Sequence, residues 1–217
     1  MAVFFIIFFQ ELLLLKRNFA KVLANFLFFT ISAVIFFLLS QAQENQGSSL
    51  IYNITIIWFS LLFSVIFSTN DFAKKDFEDG TIEQMITSVE NLEIYVLAKS
   101  LALFFVNVLP IAIATIFLSQ LSGIEGSKTK ELFILALLAG VCANFICCFC
   151  GSLSIVGNSA PMVSVIAMPL IIPVMLISFS GLTNDFPNSC KILIGLGFLS
   201  ACCSIFATAK IIKIAAD

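Results

Sequence analysis

LFILALLAGVCANFICCFCGSLSIV, Leu132 to Val156, runs for 25 residues without one charged side chain. An α-helix rises 1.5 Å per residue, so this stretch is long enough to cross a hydrocarbon core of ~30 Å. Comparable runs lie at about 22–40, 50–68, 96–119, 160–180 and 190–209. Each Leu, Ile, Phe or Val at the centre of such a helix favours insertion by roughly 0.3–0.6 kcal/mol. Six spans with short connections consume nearly all of the 217 residues. The predicted fold is therefore a single all-α integral membrane domain, residues 1–217, with no separate soluble module.

Composition supports the same reading. Hydrophobic residues make up 60% of the chain and charged residues 11%, against roughly half and a quarter in a soluble domain. So few charges cannot clothe a water-exposed surface. A net charge of -2 says little for a membrane protein, but the absence of any basic patch or run of like charge excludes a nucleic-acid partner. The absence of histidine removes HExxH zinc chemistry, Ser/His pairs and imidazole haem ligation. GIEGSKT at 123–129 echoes a phosphate loop, but a P-loop needs four residues between its glycines and Lys directly after the second; Ser127 breaks that spacing. The chain is expected to be no enzyme and to bind no ATP. The spans contain no Asp or Glu, which disfavours a proton-coupled carrier.

The N-terminal run VFFIIFFQELLLL, residues 3–15, is too short and too interrupted by Gln10 and Glu11 to span comfortably. It reads as an amphipathic helix lying along the interface. Without preceding basic residues or a small-residue cleavage site it does not read as a signal peptide. Lys16, Arg17, Lys21, Lys74, Lys75, Lys99, Lys210 and Lys213 fall on one side of a six-span chain, and Lys128, Lys130 and Lys191 on the other. The positive-inside rule then places both termini in the cytoplasm, with loops 41–49, 120–131 and 181–189 outside.

Polar residues within the spans are few. Lys99 lies near a cytoplasmic end, where it can snorkel to the headgroups. Asn107 and Asn144 are deeper and suit hydrogen bonds between helices. Six of the seven cysteines, Cys142, Cys147, Cys148, Cys150, Cys202 and Cys203, sit in apolar spans, where Cys packs as a small hydrophobe. Cys190 opens the last span, and the CxxC spacing of Cys147 and Cys150 has no following histidine for haem attachment. Pro110, Pro161, Pro169 and Pro173 interrupt backbone hydrogen bonding in or at the start of spans. The fifth span is expected to be kinked and buried against the bundle.

The one substantial cytoplasmic loop is residues 69–95, TNDFAKKDFEDGTIEQMITSVENLEIY, which holds most of the acidic residues. Asp79-Gly80 signals a turn. Thr81 and Gln84 have capping-box spacing at a helix start. Ile82, Met85, Ile86 and Val89 then recur at i, i+3, i+4 and i+7, giving a short helix with one apolar face. A soluble partner is expected to dock here.

DFEDGTIEQ, Asp76 to Gln84, is also the stretch by which the chain resembles the CcmB family, also called haem exporter protein B. An acidic residue before Gly-[Ser/Thr]-x-Glu-Gln is matched by Asp79, Gly80, Thr81, Glu83 and Gln84. LAK at Leu97–Lys99, LP at Leu109–Pro110, PLIIP at Pro169–Pro173 and FATA at Phe206–Ala209 agree in order and spacing over essentially the whole length. The cysteine cluster matches no motif of that family. The resemblance implies the membrane subunit of an ABC-type complex for cytochrome c maturation, an ABC-2-like permease in the bacterial cell inner membrane. It implies a homodimer bound to two copies of a separate ABC ATPase subunit, with small haem-handling membrane proteins and a haem chaperone as further partners. ATP and haem would then reside on partners, with no cofactor in this chain. Asp76, Asp79, Gly80, Thr81, Glu83, Gln84 and Met85 become ATPase-coupling candidates. The implied work is release of a haem-loaded chaperone. Direct export of haem or another small molecule, or a non-transporting scaffold, are the alternatives.

Overall fold

The computed structural model describes residues 2–17, 19–41, 49–69, 72–88, 92–121, 123–157 and 160–216. Among them every regular element is helical: α1 (Ala2–Arg17), α2 (Phe19–Gln41), α3 (Ser49–Thr69), α4 (Lys74–Glu78), α5 (Thr81–Ser88) and α6 (Leu92–Leu103). A π-helical turn, Phe104–Val108, follows, then α7 (Leu109–Leu121), α8 (Gly126–Gly157), α9 (Ala160–Thr183) and α10 (Phe186–Ala216). Five helical stretches are long and apolar enough to cross a membrane, or six when the pair Phe4–Arg17 and Val22–Ile35, bent by 67°, is counted as one broken span. The chain is a multi-pass all-α membrane protein.

The helices overrun the apolar stretches. α8 begins six residues before Leu132, and the end of α9 with the start of α10 takes up most of the 181–189 region expected as loop. Hydropathy marks the hydrocarbon slab, whereas a helix continues until its end groups find partners. Thus Ser189 N–H already bonds to the Asp185 carbonyl, leaving only Asn184 and Asp185 between α9 and α10. Residues 42–48 of the first outer loop lie outside the described residues.

α8 is the central helix, packed against α3, α7, α9 and α10. Ala139, Ala143, Cys147 and Gly151 place a small side chain every fourth residue, which lets backbones approach closely. At Gly151 a Cβ would stand 2.5 Å from the Thr69 carbonyl oxygen and 2.9 Å from Phe72 Cβ. The end of α3 therefore rests directly on the α8 backbone. Cys142, Cys147, Cys148 and Cys150 are buried in this packing, and none of the seven cysteines is disulfide-bonded.

α9 runs through Pro169 and Pro173 as one helix. Ala167, Ile171, Val174, Ser178 and Leu182 form its buried stripe, while Val165, Leu170, Ile172 and Leu176 are exposed. Both prolines lie on the exposed side. The expectation that this span is buried against the bundle holds for one face only.

Pro110 has a different consequence. It lacks an N–H and its ring would clash with the carbonyl four residues back. Upstream of it the helix widens, and Leu109 N–H bonds to the Phe104 carbonyl five residues away.

Two cores result. The larger lies at membrane depth around α8 and includes Phe29, Trp58, Val65, Val108, Leu135 and Ala143. The smaller lies under the 72–88 segment and includes Ile7, Phe72, Ile82, Tyr95, Cys148 and Ile212.

Candidate functional site

The second core encloses a charged cluster. Tyr95 and Lys99 are one helical turn apart on α6 and share a face. Phe72 and Ala73, 3% and 0% exposed, anchor the chain beside them. α4 then starts at Lys74 and presents Asp76. Lys99 forms an ion pair with Asp76, and the Tyr95 hydroxyl donates to the same carboxylate. Lys99 Nζ lies 3.5 Å from Glu11 Oε1 of α1 and donates to the Tyr95 hydroxyl oxygen at 3.2 Å. It also stands 5.7 Å from the Phe72 ring centroid and 5.5 Å from that of Tyr95, within cation–π range.

Lys99 is 8% exposed. It does not snorkel to the headgroups as the sequence suggests, because α4 and α1 bring carboxylates to it. Burying such ions costs several kcal/mol each and is offset only by close pairing with satisfied hydrogen bonds. The arrangement is a joint tying α1, α4 and α6 together. Glu11 and Tyr95 were missed in the sequence. The available signals were an acid interrupting an apolar run, and a tyrosine four residues before the lysine.

Gly80 makes the turn into α5, with φ +69°, a left-handed conformation that glycine adopts without penalty. The Gly80 carbonyl accepts from Gln84 N–H, so Gly80 holds the N-cap position and Thr81 is already helical. The apolar face of α5 turns inward: Ile82 is 0% exposed, and Met85 and Ile86 pack on the second core. Val89 lies outside the described residues. The outward surface is polar, with Glu78, Asp79, Glu83, Gln84 and Thr87 exposed. Of the coupling candidates, Asp76 and Met85 thus face the bundle, while Asp79, Glu83 and Gln84 face outward.

Asn144 Nδ2 on α8 donates to the Ser100 carbonyl on α6 at 3.0 Å. Asn107, in the π-helical turn, is 6% exposed and lines a cavity of about 1020 Å³ between α1, α2, α3, α4 and α6. Among the described residues no group of three or more His, Cys, Asp or Glu could hold a metal ion.

Comparison with known proteins gives a family model, "CcmB protein", matching residues 2–215. "Heme exporter protein B" of Pseudomonas aeruginosa is 28% identical over 184 residues, covering 83% of this chain and 80% of that protein. "Heme exporter protein B" of Haemophilus influenzae is 24% identical over 214 residues, covering 96% of each.

Proposed function

Since the chain belongs to the CcmB family, we propose that it is the membrane permease subunit of an ABC-type complex for c-type cytochrome biogenesis. In this reading it converts a partner's ATP hydrolysis into release of a haem-loaded chaperone. The observation that carries the coupling step is the buried joint of Asp76, Lys99, Tyr95 and Glu11. An ATPase pushing on the polar outer face of α4 and α5 would move α6 and α1 with it, because the joint resists separation. Such a lever can tilt a bundle between discrete packings. The fit of α5 is that of a seat: its apolar face holds it to the bundle, leaving Asp79, Glu83 and Gln84 for the partner.

Two experiments test the reading. Asp79→Lys with Glu83→Lys should abolish co-purification of the ATPase subunit while the chain inserts and melts as wild type; retained binding would move the dock elsewhere. Cells lacking this chain should lose c-type cytochromes, keep b-type cytochromes, and accumulate haem-loaded chaperone still held by its loading partner. An empty chaperone would favour direct haem export instead. The cytoplasmic placement of both termini belongs to the same proposal, and a reporter fused at Lys128 should signal from the outside.

A further inference from the structure

The cavity beside the joint has walls of graded polarity. Arg17, Lys75 and Asp79 lie at its rim and are exposed. Glu11, Asp76 and Lys99 also line it and are already paired with one another. Counting these six, three cations face three anions, so the charged end is neutral but two-signed. Away from the rim the walls become apolar with Leu14, Phe28, Phe67 and Leu103.

Lys99, Leu103 and Asn107 follow at i, i+4 and i+8 along the α6 side. At 1.5 Å per residue this wall is ~12 Å long, close to one leaflet of a ~30 Å core. At about 1020 Å³ the cavity matches the upper end of the range for ligand sites, roughly 300–1,000 Å³.

Two amides line these walls, one of them a buried group without a partner. Asn25 is 9% exposed, and its Nδ2 has no hydrogen bond although Ser64 satisfies its Oδ1. Asn107 is 6% exposed, and its side chain forms no hydrogen bond among the described residues. The buried Asn25 amide costs about 1–3 kcal/mol, and Asn107 offers an amide donor on the cavity wall.

We propose that the cavity is a phospholipid site, taking one zwitterionic phospholipid from the leaflet on the side of α4 and α5. Its phosphate meets Arg17 and Lys75, and its ammonium meets Asp79. Ester carbonyls offer acceptors to the Asn107 amide, and an acyl chain lies along Leu14, Phe28 and Phe67. A purely anionic lipid would leave Asp79 opposed to like charge. A second copy of this chain would bring no matching column of carbonyls and alkyl chain.

The test uses the full chain, stripped of lipid in detergent and exposed separately to vesicles of phosphatidylethanolamine or phosphatidylglycerol. Native mass spectrometry then reads the lipid retained after washing. Wild type should keep one phosphatidylethanolamine per chain, and Leu14→Trp and Asn107→Leu should each lower retention at least tenfold without changing the melting temperature. Arg17→Glu with Lys75→Glu should lower it as well. Equal retention by wild type and the cavity variants, or none by wild type, overturns the proposal. Preference for phosphatidylglycerol overturns the zwitterionic assignment. A Leu14→Cys chain that forms a disulfide-linked dimer in the lipid-exposed sample assigns the cavity to a second copy and also defeats the proposal.

Discussion

The two cores solve one packing problem with opposite materials. Around α8 the contacts are made by apolar and small residues, and the backbone of α3 comes to rest on Gly151. Under α4 and α5 the contacts surround four polar side chains, three of them charged. An apolar core tolerates substitution that conserves volume, and small residues let helices settle where shape permits. A buried charge cluster has fewer acceptable arrangements, because every alternative leaves an ion unpaired. The comparison teaches that the membrane half is fixed by shape and the loop half by charge. A loop half of that kind suits a part that must move as a unit.

The largest effect expected from breaking this contrast is at Lys99. Lys99→Met leaves the half-buried Glu11 and Asp76 without their cation and should cost up to about 3–5 kcal/mol, the usual loss on removing one partner of a buried pair. Thermal unfolding in detergent measures it. Adding Glu11→Gln and Asp76→Asn to the same chain should recover most of the loss, and no recovery would mean that packing, not charge, holds the loop half.

The shape-fixed half should respond next. Gly151→Val places side-chain atoms against Thr69 and Phe72 and should cost about 1–3 kcal/mol, as overpacking does. Gly195→Ala, where an added Cβ meets nothing within 4 Å, should not lower the melting temperature, since alanine is the better helix former. If both variants behave alike, close approach to Gly151 does not hold α3 in place.

The smallest effect belongs to a polar link at the boundary. Asn144→Leu removes the hydrogen bond to Ser100 but also the unpaired buried Oδ1. Bonds between membrane helices average about 0.6 kcal/mol, so the net change should stay below about 1 kcal/mol in the same assay. A loss of several kcal/mol would place Asn144 among the groups that determine the fold.

What could be read in the sequence divides along the same line. The spans were legible because hydrophobicity and length are local properties, and Leu132 to Val156 announces a helix without reference to any neighbour. The Asp79-Gly80 turn and the short amphipathic helix after it were legible for the same reason. The burial of Lys99 was not, since it depends on Asp76, 23 residues away, and Glu11, 88 residues away, meeting it in space. Periodicity also found the apolar face of α5 without revealing what it faces. Ile82 and Met85 could equally have met a partner, and only the tertiary structure turns them toward Ile212. Counting Lys99 as a loop charge overstated the orientation signal; without it the split is seven to three, with the same sign.

The π-helical turn at Phe104–Val108 sets the phase between the two halves. It holds one residue more than an α-helix needs there, and one residue corresponds to about 100° of rotation and 1.5 Å of rise. Deleting a single residue from this segment would let α6 and α7 join as one uninterrupted α-helix. With α7 seated against α8, the upstream half would swing by that angle and carry Lys99 away from Asp76 and Glu11. The extra residue therefore works as a clocking element: it lets a helix whose far end is indexed by small-residue packing present its near end in the orientation that the carboxylates demand.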